Sequence, residues 1–174
     1  QPGFEVVLTR RTDATVALPR RTAIANEESA DLFLSIHANS SPRRETAGVE
    51  TYFLNLATNR QAEAVAAREN ASSSQSMRTL PQLVRAITNN NKLAESREFA
   101  TAVQASMVRN LRPRNQNFQD LGVKQAPFVV LIGAQMPSVL VEVGFVTNRT
   151  EAGLVKQTAY KQQITDVGGY RAGS

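Results

Sequence analysis

An α/β fold, in one domain with a largely parallel twisted sheet flanked by helices, is what three features of this sequence predict. Residues 31–39, DLFLSIHAN, alternate strictly: Leu32, Leu34, Ile36 and Ala38 fall on one face of a strand, Phe33, Ser35, His37 and Asn39 on the other. Residues 137–148, PSVLVEVGFVTN, form a nearly continuous apolar run of the kind a strand covered on both faces shows. Between these two stretches lie segments of helical period, and strands that alternate with helices imply parallel pairing. At 174 residues and 41% hydrophobic content the chain suits one domain with a substantial core.

In chain order, residues 4–9 are β-branched and apolar and end in Arg10-Arg11, which reads as a strand with a basic exit. A helix is expected over 18–28, with Pro19 early in it. The DLFLSIHAN strand follows and runs into the turn signal Ser40-Ser41-Pro42. Residues 48–54, GVETYFL, are the next strand, and its alternation reads Glu50 as a solvated strand residue rather than a metal-site carboxylate. Residues 59–68 are helical, with Ala62, Val65 and Ala66 on one side. After a serine-rich stretch, Leu80, Leu83, Val84 and Ile87 form a short helical stripe, and a longer helix spans 92–111 up to Arg112-Pro113. Strands are expected at 128–132 and 139–146. A last helix, capped by Thr147 or Asn148, runs through Leu154, Tyr160 and Ile164.

Two residues carry chemistry. His37, the one histidine in the chain, ends an apolar strand at the mouth of the predicted sheet, where ligands of open α/β sheets bind. Glu142 lies inside the apolar run, and a buried carboxylate demands a partner, a metal or a proton-transfer task. A histidine and a glutamate ending neighbouring strands is an arrangement that a zinc hydrolase needs. With no cysteine, any zinc must be held by nitrogen and oxygen ligands.

The segments SIHAN (35–39) and VEVGFVTN (141–148), with VVLTR (6–10) ahead of them, resemble the zinc-dependent N-acetylmuramoyl-L-alanine amidases of bacterial cell walls, and the resemblance runs over about 4–164. It implies hydrolysis of the amide between N-acetylmuramic acid and L-alanine in peptidoglycan, with His37 as a zinc ligand and Glu142 as the catalytic general base and acid. It implies a periplasmic or extracellular setting and an activator protein of the LytM type. In members that act at the division site an inserted helical segment covers the active site, and 72–91 lies at that position. The family's other two ligands, a histidine in a glycine-rich loop and a glutamate soon after it, precede the VVLTR strand, where this chain begins. These 174 residues alone are therefore expected to bind zinc weakly and to be inactive.

The competing reading is a non-catalytic peptidoglycan-binding module that keeps the fold without the metal. The net charge of +5 favours acidic partners, but scattered basic residues and 6% aromatic content argue against nucleic acid. The longest apolar stretch, 128–146, is interrupted by Gln135, Pro137 and Glu142, which argues against membrane insertion.

Overall fold

A computed structural model describes residues 5–71, 73, 87–88 and 91–165. Four strands form one sheet: β1 (Phe33–Asn39), β2 (Val49–Leu54), β3 (Asp120–Ala126) and β4 (Ser138–Phe145), in the spatial order β1-β4-β2-β3. β1 pairs with β4 and β2 with β3 in parallel, while β2 and β4 run antiparallel. The helices are α1 (Leu18–Glu27), α2 (Arg60–Asn70), α3 (Leu93–Leu111), α4 (Arg149–Lys156) and α5 (Thr158–Thr165). None of the described helices is long and apolar enough to cross a membrane.

The sheet separates two apolar clusters. On one face Phe33, Tyr52, Leu54 and Leu140 pack with Leu18 and Ala25 of α1 and with Ala62, Val65 and Ala66 of α2. On the other, Val49, Phe53, Val139, Val141 and Val143 meet Val103 and Met107 of α3 and Tyr160 and Ile164 of α5. This explains why β4 is largely apolar: all eight of its residues are buried, Glu142 among them.

Three expectations are corrected. Residues 5–10 do not join the sheet, and Val6, Val7 and Leu8 are 52%, 42% and 53% exposed. A strand needs a neighbour's hydrogen bonds, and no described strand lies beside this segment. The run at 128–132 is not a strand but holds a 3-10 turn, Val129–Leu131, buried against α1. A short apolar run states burial without stating the backbone form. The missing strand is β3, an edge strand whose polar sequence DLGVKQA carries no apolar alternation strong enough to reveal it. The last helical stretch is two helices that meet at Gln157, and Asn148 caps the first by accepting from Thr150 and Glu151 N–H groups at 3.0 and 3.2 Å. Of the stripe expected at 80–87, only Ile87 is described; it is helical and packs on the first cluster.

The end of α2 is pinned to the sheet by its last residue. The buried Asn70 donates from Nδ2 to the Pro127 carbonyl and accepts at Oδ1 from the Val129 N–H, both at 2.9 Å. The far end of β4 is held by Glu151, whose buried carboxylate accepts from the N–H groups of Gly48 and Phe145 and from the Asn115 amide. Asn70→Ala would leave two buried backbone groups unsatisfied, so urea unfolding should show a loss of about 2–4 kcal/mol. A loss below about 0.5 kcal/mol would mean that α2 is held by its apolar face alone.

Candidate metal centre

Parallel pairing sets His37 of β1 beside Glu142 of β4, and antiparallel pairing sets Glu50 of β2 on the other side of Glu142. Residues in register share a face, so one row across three strands reads His37, Glu142, Glu50. Just beyond His37 the register slips: Asn39 pairs with Phe145, giving β4 one extra residue. Gly144 sits in that irregularity at φ +148°, a backbone conformation that side-chain-bearing residues rarely adopt.

The two buried glutamates are treated differently. Glu50 is 0% exposed and fully engaged: Lys124 Nζ donates to its Oε2 at 2.5 Å and Asn39 Nδ2 to its Oε1 at 2.8 Å. The expectation that Glu50 is solvated is overturned, because β2 is an interior strand, between β4 and β3, and all six of its residues are buried. Engaged in this way, Glu50 is a structural ion-pair partner, and it is absent from the group of residues whose donor atoms converge. Glu142 is also 0% exposed, yet neither carboxylate oxygen has a hydrogen-bond partner among the described residues. Burial first, then the Glu69 and Glu50 charges, push its carboxyl up to about 9, and Arg68 pulls the other way.

His37 and Glu142 meet a third residue that the sequence does not single out, Glu69 of α2. Its Oε2 lies 2.5 Å from His37 Nδ1, and His37 Nε2 is 3.0 Å from Ser35 Oγ. One donor atom from each of His37, Glu69 and Glu142 falls within 4.8 Å of the others. Glu69 continues the stripe Ala62, Val65 and Ala66 at helical spacing, so the face that buries alanine and valine also aims this carboxylate at the sheet. The stripe itself is legible in the sequence, and extending it by one turn leads to Glu69. An imidazole and two carboxylates, one of them without a hydrogen-bond partner among the described residues, fit zinc as a nitrogen and oxygen donor set.

Comparison with known proteins bears on the family and the fold. The family model for N-acetylmuramoyl-L-alanine amidase matches residues 1–167. The chain is 34% identical over 161 residues to the N-acetylmuramoyl-L-alanine amidase LytC of Bacillus subtilis, covering 92% of this chain and 25% of that protein. It is 31% identical over 175 residues to the amidase AmiA of Escherichia coli, covering 93% and 57%. It is also 31% identical to the uncharacterized protein YqiI of B. subtilis, covering 95% of this chain and 61% of that one. The chain thus spans between a quarter and about three fifths of the length of these relatives. Its fold is similar to the crystal structure of an N-acetylmuramoyl-L-alanine amidase from Clostridium difficile, with a TM-score of 0.67, 26% identity, and coverage of 95% of this chain and 68% of the other. A match to the family model over nearly the whole chain shows that this protein belongs to the N-acetylmuramoyl-L-alanine amidase family of cell-wall enzymes.

Proposed function

We propose that the chain provides part or all of the catalytic centre of a zinc-dependent peptidoglycan amidase, acting on the bond between N-acetylmuramic acid and L-alanine in the bacterial cell envelope. The observation that carries this reading is Glu142, a fully buried carboxylate without a hydrogen-bond partner among the described residues, beside His37 and Glu69. A carboxylate retained at that electrostatic cost is suited to handling protons. The non-catalytic alternative gives no reason to keep it, since a binding module would be more stable with a neutral side chain there.

In this reading His37 and Glu69 hold the metal and Glu142 stays free for proton transfer. Zinc held there would supply a Lewis acid for water and for the scissile carbonyl, and its charge would favour the ionised form of Glu142. Glu142 accepts the proton of the attacking water and delivers a proton to the departing amine of L-alanine, so one group serves as base and then as acid. Ser35, at 3.0 Å from Nε2 of His37, orients the ring, and Nδ1, which faces Glu69, is the nitrogen that would bind the metal. The segment 72–91 follows directly on α2, so a regulatory role for it in covering the site, released by an activator of the LytM type, belongs to the same proposal.

Glu142→Gln keeps the shape of the side chain and removes its proton chemistry, so release of muropeptide amines by the zinc-loaded protein should fall by about a hundredfold or more. Hydrolysis at close to the parent rate would remove Glu142 from the mechanism. The buried carboxyl also predicts a pH effect on folding without metal. Its folded pKa, near 9, lies above the ordinary carboxylate value of 4.5, so the folded state holds the proton more tightly than the unfolded one. The contribution of Glu142 to stability should therefore be full below about pH 4.5 and decline as pH rises towards 9, by up to about 1.4 kcal/mol per pH unit. Chemical denaturation in chelator at pH 6 and pH 8 reads this slope, which Glu142→Gln should flatten. A parent protein as stable at pH 8 as at pH 6 would contradict it.

A further inference from the structure

Arg68 stands beside the proposed centre in an unusual state. It precedes Glu69 on α2 and its charge acts on Glu142, yet among the described residues its guanidinium forms no ion pair. Its Nη2 donates instead to a neutral acceptor, Asn39 Oδ1, at 3.1 Å. The orientation of that amide is not arbitrary. Asn39 is 1% exposed, its Nδ2 must face the Glu50 carboxylate, and its Oδ1, which also accepts from the Ser40 N–H at 2.7 Å, is left facing Arg68. Lys124 already neutralises Glu50, and His37 faces Glu69.

A guanidinium placed to offset the acids of the site would pair with one of them. Arg68 is held by one N–H through a buried, oriented amide, while the side chain as a whole is exposed. The remaining donors of its planar fork suit a carboxylate, which they can grip through two parallel hydrogen bonds. A second cation lies in the same quarter: Arg21 of α1, held by the Val16 carbonyl at 3.1 Å, is close enough to feel the charges of Arg10 and Glu69.

We propose that Arg68 is a specificity-determining residue that binds a carboxylate of the substrate's peptide, so that the site selects acidic muramyl peptides over neutral ones. This rests on the amidase reading, in which the departing amine begins a peptide, and it names the part of that peptide that α2 recognises. Bound there, the carboxylate fixes the peptide against the end of α2 while the amide under attack lies over Glu142. The effect is on binding rather than on the chemical step.

The test compares N-acetylmuramoyl-L-alanyl-D-glutamic acid with its diamide, which differs only in lacking the two carboxylates. Binding is measured by calorimetry on the chelated protein, and hydrolysis on the zinc-loaded protein. The parent should favour the acid by about tenfold or more in Kd and KM, Arg68→Gln should abolish that preference, with any change in kcat the same on both probes, and Arg68→Lys should restore part of it. A parent that treats the two probes alike overturns the proposal. So does an Arg68→Gln variant that keeps the preference and loses kcat equally on both, the mark of a purely structural role. If neither probe is hydrolysed but the acid binds tighter through Arg68, the amidase reading fails and the carboxylate site stands. Hydrolysis of both probes without preference overturns the carboxylate site and leaves the amidase reading in place.

Discussion

The organising constraint in this molecule is a carboxylate inside a sheet. Glu142 sits in a strand buried on both faces, with an acid or an imidazole on each neighbouring strand. Three acidic side chains gather at one end of the first face, and each must be compensated. Lys124 and Asn39 compensate Glu50, and His37 faces Glu69. Glu142 alone has no compensation among the described residues, and that imbalance is the physical reason to place a cation there.

The apolar packing supports this polar row. Ala62, Val65 and Ala66 set α2 down on the sheet, and Asn70 ties its last turn to the backbone at 127–129, which together fix where Arg68 and Glu69 reach. Glu151 does the same for β4, drawing the Phe145 and Gly48 N–H groups onto one buried carboxylate. Gly144, one residue past Val143, gives β4 the irregularity that shifts Asn39 out of the register that His37 keeps. Asn39 thereby meets both Glu50 and Arg68. Core, strand register and site are in this sense one arrangement.

Much of this is legible in the sequence, for reasons that differ by residue. The apolar run around Glu142 reports burial directly, whereas the alternation in DLFLSIHAN reports a strand but not its buried face, since Leu32 and Ile36 are each 48% exposed while Ser35 and Asn39 are buried; β1, β4 and the convergence of His37 with Glu142 follow from pattern. Glu69 stays hidden because a carboxylate near the end of a helix is ordinarily solvated, and only the continued stripe from Ala62 reveals its direction. Glu50 is misread because alternation cannot tell whether a helix covers the polar face of a strand. Its partner, Lys124, lies on the polar edge strand β3, which has no apolar signature of its own. Residues 4–9 read as a strand because β propensity is local, whereas pairing requires a neighbour.

If His37 and Glu69 hold one zinc ion and Glu142 works beside it, zinc affinity must separate the ligands from the base. Titration by calorimetry on the parent, His37→Ala, Glu69→Ala and Glu142→Gln proteins makes that separation. With two protein ligands the parent is expected to bind one zinc per chain weakly, with affinity reduced at least about tenfold further in both alanine variants and nearly unchanged in Glu142→Gln. Parent-like affinity in Glu69→Ala, or loss of zinc in Glu142→Gln with Glu69→Ala intact, would contradict the assignment of ligand and base.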